Sequence, residues 1–277
     1  MNESAPIAVI KVGGDVVLDK GQAEGLSKNV KDLIDSGWRV VLLHGGGPQV
    51  NRLQELQGLK PNKVSGRRIT SLEDLEVVKQ AVCGEVNVTL MQYLQHQGVN
   101  AFACNGASGK LITAKKRAPI LVSGAGDKPI DFGEVGDVVS INTELLNQLL
   151  TMNIVPVIAT LGVEQNSGRV FNINADTTVV EIARSLKADM LLLTTAVGAI
   201  FEDLDKPISR IAKVNITEAK SLIEKGVIQG GMIPKVEEAL KVLKQGVKKI
   251  AIVSPKQPGA FLAVANNQPT MGTIIQE

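Results

Sequence analysis

Aromatic side chains are scarce in this chain, 3% of its residues, and neither sign of charge prevails, with 30 lysines and arginines against 28 acids for a net charge of +2. A nucleic-acid partner needs a basic footprint and usually a stacking platform, and the sequence offers neither. No apolar run approaches the ~20 residues of a membrane span, and Met1-Asn2-Glu3-Ser4-Ala5-Pro6 has neither the basic nor the apolar region of a signal peptide, so the expected location is the cytoplasm. There are only two cysteines. Cys83 and Cys104 have no metal-ligand spacing and read as small buried hydrophobes. With two histidines in the chain, a histidine-based metal site or a histidine general base is not expected, and no protein-held metal is predicted. The common nucleotide fingerprints are missing as well: there is no Walker loop and no Gly-x-Gly-x-x-Gly after a strand.

What is present is strand-helix alternation. A chain of 277 residues with 44% hydrophobic content builds one or two domains with a substantial core. Trp38 to His44 is a run of β-branched and leucine residues that breaks into Gly45-Gly46-Gly47-Pro48 and then an amphipathic run through Leu53 and Leu56, which reads as strand, tight turn, helix. Ile7 to Val12 reads as a buried parallel strand opening at Gly13 and Gly14, followed by a helix with Ala23, Leu26, Val30, Leu33 and Ile34 on one face. Thr70 with Glu73 makes a capping box for one long helix to about Gln97, roughly 25 residues or nearly 40 Å. Asn100 to Cys104 reads as a strand, and Asp131 to Ser140 as a hairpin. Helix Thr143 to Met152, strand Ile154 to Ala159, a helix beginning near Asp176, strand Asp189 to Thr195, helix Ile216 to Lys225, and terminal strands at Lys249 to Val253 and Met271 to Ile275 complete the alternation. The predicted class is α/β, an open, mainly parallel sheet sandwiched by helices. A soft boundary near Met152 divides one continuous domain into residues 1–152 and 153–277.

Three glycine turns, with Lys11 and Lys235 beside two of them and Asp176 in the first turn of a helix, suggest phosphate handling. Glycines allow close backbone approach, and free N–H groups at a helix start attract anions. Burying Lys11 without an anion is costly. Lys235, near the start of a helix opened by Pro234, opposes the helix dipole and is better explained by function than by stability. Two ammoniums flanking a phosphate would neutralise charge on a transferred phosphoryl group. The bland alternatives are a glycine turn that merely joins strand to helix, and an Asp176 that merely caps one.

Taken in order, Lys11-Val12-Gly13-Gly14, His44-Gly45-Gly46-Gly47-Pro48, Gly66-Arg67-Arg68-Ile69-Thr70, Asp131-Phe132-Gly133-Glu134-Val135-Gly136, Asn172-Ile173-Asn174-Ala175-Asp176 and Gly230-Gly231-Met232-Ile233-Pro234-Lys235 resemble the amino acid kinase family, nearest to its acetylglutamate kinase branch. The resemblance implies transfer of the γ-phosphoryl group of MgATP to the side-chain carboxylate of N-acetyl-L-glutamate, a step of arginine biosynthesis, with Mg²⁺ carried by the nucleotide. It implies that Lys11 and Lys235 stabilise the transition state and that Asp176 organises both. Gly46, Gly47, Arg68 and Asn172 would bind the acyl amino acid in the first half. Gly13, Gly14, Thr195, Ala196, Val197, Gly198, Ala199, Ile200, Val227, Ile228 and Gln229 would contact the nucleotide. A kinase for an aminoadipate-type acceptor, or a non-catalytic regulator binding nucleotide or amino acid, is the alternative. Arg67, where the family has leucine, is expected to face solvent.

The same resemblance bears on assembly. Arginine-inhibited hexamers of the family carry an extra N-terminal helix, whereas Met1 to Pro6 would span at most about 9 Å of helix. The expectation is a homodimer joined through the Ser71 to Gln97 helix, without arginine inhibition through a hexamer site.

Overall fold

The computed structural model describes residues 5–122, 126–203, 205–229, 233, 236–237, 240, 243, 246–268 and 271–276. Strand β1 (Ile7–Val12) is buried along its whole length and lies between β2 (Arg39–His44) and β11 (Met190–Thr194), parallel to both. With β5 (Ala101–Asn105), β8 (Val155–Ala159), β14 (Lys213–Asn215), β15 (Ile250–Val253) and β16 (Thr273–Gln276), they form an eight-stranded sheet among the described residues, in the order β14-β16-β15-β11-β1-β2-β8-β5. Only the β15–β16 pairing is antiparallel. This is the predicted class: near-continuous apolar strands covered on both faces.

Alternation along β1 sorts the two faces. Ile7 and Val9 join a cluster with α7 (Ala175–Ser185), while Ala8, Ile10 and Val12 join one with α2 (Lys20–Asp35), α5 (Asn87–His96) and α9 (Ala260–Ala265). Period-two geometry therefore puts Lys11 on the α7 face, whereas His44, in register with Val12 on the neighbouring strand, belongs to the α5 face. A short helix α1 (Gly14–Leu18), unforeseen in the sequence, follows β1 directly, and α3 (Gly47–Leu56) begins with Pro48 in its first turn, as the fixed φ of proline favours. Helix α6 (Thr143–Thr151) is capped by Asn142 and α8 (Ile216–Glu224) by a capping box of Asn215 and Glu218.

The long helix is not uniform. Its capping box is Ser71 with Asp74, one residue beyond the predicted Thr70 and Glu73, because Thr70 is taken up by sheet-like pairing with Gly133. After α4 (Leu72–Val78) the chain widens into a π-helix over Lys79–Val86 before α5 resumes.

The predicted hairpin within Asp131–Ser140 is also corrected. Strand β7 (Val135–Ile141) pairs antiparallel with the earlier β6 (Ile112–Lys116), and β9 (Leu161–Val163) and β10 (Val170–Ile173) close a small barrel with them. Gly133 instead makes a tight crossing. Its φ is 71°, and a Cβ there would stand 2.2 Å from the Thr70 carbonyl oxygen. Two short pairs, β3 (Lys63–Val64) with β4 (Arg67–Arg68) and β12 (Ile200–Phe201) with β13 (Arg210–Ile211), lie outside the main sheet.

Candidate active site

Parallel registers align Lys11 with Leu193, Val12 with His44, His44 with Ala159 and Thr194 with Val253. The loops after these strands therefore emerge side by side at the carboxyl edge of the sheet, where open α/β sheets bind ligands.

Lys11 is 8% exposed. Its ammonium lies 3.2 Å from Asp176 Oδ1, as the first-turn position of Asp176 on the facing helix α7 allows. Asp176 is not the cap of that helix. Asn174 is, accepting the Thr177 N–H at 3.0 Å. The Lys11 carbonyl accepts the Thr194 hydroxyl at 2.8 Å, tying β1 to the strand that leads into the predicted nucleotide loop. Lys235, Gly230, Gly231, Met232 and Pro234 lie outside the described residues; the described helical positions nearby, Val236, Leu240 and Leu243, are buried.

The two glycine loops touch. A Cβ on Gly14 would stand 2.7 Å from Gln49 Oε1 and 2.9 Å from the Gly46 Cα, and the Gln49 amide donates to the Gly14 carbonyl at 2.7 Å. Gly46 is hemmed in by Val82 and Val86 of the π segment. Among the described residues no hydrogen bond takes up the Gly46 or Gly47 N–H, as expected where a helix starts.

Gly45, Gly46 and Gly47 line a cavity of about 220 Å³ shared with Arg68, Asn172, Asn174, Lys63, Arg67 and Arg117. Arg68 donates to Gln54 Oε1 and Asn51 Oδ1, and Gln54 in turn donates to Asp74. Burial lowers the Arg68 pKa, and the attraction of Asp74 opposes that shift. Asn172 Nδ2 donates to the Thr70 hydroxyl at 3.1 Å, which fixes the amide plane. Lys63 and Arg117 were not foreseen as cavity residues, and Arg67, expected in solvent, lines the cavity as well. Arg67 is exposed but stands at the rim rather than wholly in solvent. Lys63 sits directly opposite Arg68 in the two-stranded pair, and burial, then Arg68, push its ammonium pKa down. Like charges facing one another across strands destabilise a sheet unless an anion joins them. Arg117 is held by Asp137, with Nε at 2.8 Å.

On the other side, Thr195 to Ile200 make a tight turn: Thr195 Oγ1 accepts the Gly198 N–H at 2.8 Å, and Gly198 has φ 78° and no room for a Cβ against Ser254. Ala199, Ile200 and Ile228 are buried, whereas Val197 and Gln229 are exposed. Ser254, at the end of β15, is a neighbour of this loop that the sequence did not single out.

His44 is fully buried. Desolvation pushes its pKa down to about 4, so the imidazole is neutral at pH 7. Burial likewise pushes the Cys83 thiol up to about 11 and that of Cys104 up to about 12, consistent with inert packing roles. Among the described residues no helix is long and apolar enough to cross a membrane.

Residues 6–254 match the model of the amino acid kinase family. An acetylglutamate kinase of Anaeromyxobacter dehalogenans is 38% identical over 268 residues, 97% of this chain and 98% of the relative. One from Methanocaldococcus jannaschii is 37% identical over 270 residues, 97% of this chain and 90% of the relative. Among solved structures, smu.665 from Streptococcus mutans superposes with a TM-score of 0.76 at 29% identity, covering 98% of each chain. The N-acetylglutamate synthase of Neisseria gonorrhoeae, solved with coenzyme A and L-arginine, superposes with a TM-score of 0.77 at 20% identity over 98% of this chain and 61% of its own length, a likeness of fold.

Proposed function

This chain belongs to the amino acid kinase family, and we infer that it transfers the γ-phosphoryl group of ATP to the side-chain carboxylate of N-acetyl-L-glutamate, forming an acyl phosphate in arginine biosynthesis. The observation that carries this reading is the Lys11–Asp176 pair at 3.2 Å, set at the carboxyl edge of the sheet between the glycine loops and the turn at Thr195.

The chemistry suits the residues. A glutamate side chain titrates near ~4.3, so the nucleophile is ionised at pH 7 and needs no general base. Transfer then reduces to alignment and charge neutralisation. The Lys11 ammonium neutralises charge on the moving phosphoryl group, and Asp176 keeps it aimed there. Lys235 is assigned the second ammonium. The Gly46 and Gly47 N–H groups bind anionic oxygens, Arg68 grips the substrate's other carboxylate, and Asn172 holds the acylamino group. Gly13, Gly14, Thr195 to Ile200 and Val227 to Gln229 receive the nucleotide, which brings Mg²⁺ with it. Residues 1–152 supply most of the acyl-acceptor site and 153–277 most of the nucleotide site. The setting is cytoplasmic. The partner is a second copy of the chain. The 71–97 segment leaves Val88 62% exposed and the edge strand β5 leaves Phe102 48% exposed, apolar side chains available to a two-fold interface.

The test is hydroxylamine trapping of the product with MgATP and a panel of acylated amino acids. Hydroxamate should form with N-acetyl-L-glutamate and fall by about 10²-fold or more in Lys11→Ala. Hydroxamate from an aminoadipate derivative alone, or from no acceptor, would overturn the assignment.

A further inference from the structure

His44 closes β2 directly before the glycine loop, and neither charge nor proton transfer explains its presence. Its surroundings define its protonation. Asn87, the first residue of α5, donates through Nδ2 to the Val157 carbonyl at 2.9 Å, which identifies that atom as the amide nitrogen. The same nitrogen stands 2.7 Å from His44 Nε2. Nε2 therefore accepts, and the proton of the neutral ring resides on Nδ1. Nδ1 lies 3.0 Å from the Gly45 carbonyl oxygen, so it donates there. The neutral state agrees with the depressed pKa of this buried ring.

The consequence lies across the next peptide bond. In a trans peptide the carbonyl of one residue and the N–H of the next point in opposite directions. The Gly45 carbonyl is drawn back toward the α5 face of the sheet, so the Gly46 N–H is turned away from it, and Gly46 stands with Gly45 and Gly47 in the cavity wall. A glycine loop without this tether is free to flip the peptide, presenting a carbonyl where a donor is needed. We propose that His44 is a positioning residue: as the Nδ1–H tautomer, fixed by Asn87, it ties back the Gly45 carbonyl and so aims the Gly46 N–H at an anionic oxygen of the bound substrates. This rests on the reading of Gly46 as a substrate-side donor. It extends that reading to a residue that touches no substrate and to Asn87, which acts one step further out. The π segment completes the arrangement, because Val82 and Val86 wall in Gly46 and deliver Asn87 to the ring.

Two measurements on the full chain test it. Long-range ¹H–¹⁵N NMR of histidine-labelled protein, assigned with His96→Gln, should show His44 protonated on Nδ1 alone at pH 7. The opposite tautomer, or an imidazolium, overturns the proposal even if no variant folds. In kinetics, His44→Leu should lower kcat by about tenfold or more with the KM for MgATP held within about twofold. His44→Asn, whose Nδ2 falls where Nδ1 was, should recover most of that loss. A His44→Asn enzyme no better than His44→Leu would mean that the ring only fills space. An unimpaired His44→Leu enzyme, with Lys11→Ala inactive, would sink this inference and leave the active-site assignment standing. An active Lys11→Ala enzyme would sink the assignment itself.

Discussion

Acid lability of the fold should be traceable to one ring. His44 is buried without any charged neighbour contributing to its pKa; desolvation dominates, and the Gly45 carbonyl opposes it. The folded pKa of about 4 lies below the ordinary 6.5, so the unfolded chain binds the proton more readily. The resulting stability is fully present above about pH 6.5, is lost as pH falls toward 4, and levels off below that. At roughly 1.4 kcal/mol per pH unit, the full effect is about 3 kcal/mol, most of it already lost at pH 4.5. For a chain of this length the full effect amounts to a melting-point drop of roughly 6 °C. Urea unfolding of the wild type and of His44→Asn at pH 7 and pH 4.5 isolates it, because the carboxylates titrate alike in both proteins. The wild type should lose roughly 2 kcal/mol more than the variant over that interval. Parallel losses, or an NMR titration of His44 with its midpoint near the ordinary value, would refute the reasoning.

Gly14→Ala should force the two glycine loops apart, costing about 1–3 kcal/mol of stability and lowering kcat by up to about 10²-fold. Steady-state kinetics with wild-type values would show that the loops give way freely. Arg68→Lys should raise the KM for the acyl amino acid by about tenfold and leave that for MgATP unchanged, because a lysine lacks the planar fork that grips a carboxylate; the reverse pattern would mean the two sites are exchanged. Phe102→Asp on the β5 edge should convert the proposed homodimer to monomers in light scattering, and an unaltered mass would place the interface elsewhere.

Much of the frame was legible because burial on both sheet faces leaves a plain signature: the apolar runs at Ile7 to Val12, Trp38 to His44 and Asp189 to Thr194 all became central strands. The need of Lys11 for an anion was legible too, from its place at the end of a buried strand, and the family resemblance, not the spacing, linked Asp176 to it. The π segment was not, although a trace of it exists. Val78, Val82, Val86, Leu90 and Leu94 are all buried at a strict spacing of four. In a regular α-helix such a stripe drifts by about 40° at each step, and a wider turn in the middle takes up the drift. The hairpin expected in 131–140 failed because the partner strand, Ile112–Lys116, lies further back along the chain than a local turn signal reaches. Lys63 and Arg117 escaped notice since cavity walls form from residues brought together by register, which spacing alone does not reveal. His44 stood in a motif with no role, and only the Asn87 and Gly45 contacts supply one.

The seam between Gly14 and Gly46 separates two kinds of inheritance. Where the loops meet, a Cβ on Gly14 has no room against Gln49 and Gly46, so on the proposed assignment the mutual placement of phosphoryl donor and acceptor is written largely in main-chain geometry. On the proposed assignment, recognition of what hangs on the acceptor falls to side chains, with Arg68 gripping it and Lys63 and Arg67 in the same cavity wall. Substitution at those positions should then alter which acylated acid is held without disturbing the line of transfer. An insertion or deletion in either loop does the opposite, abolishing the reaction for every acceptor alike. A scaffold divided in this way can exchange substrates over many generations while its chemistry stays fixed.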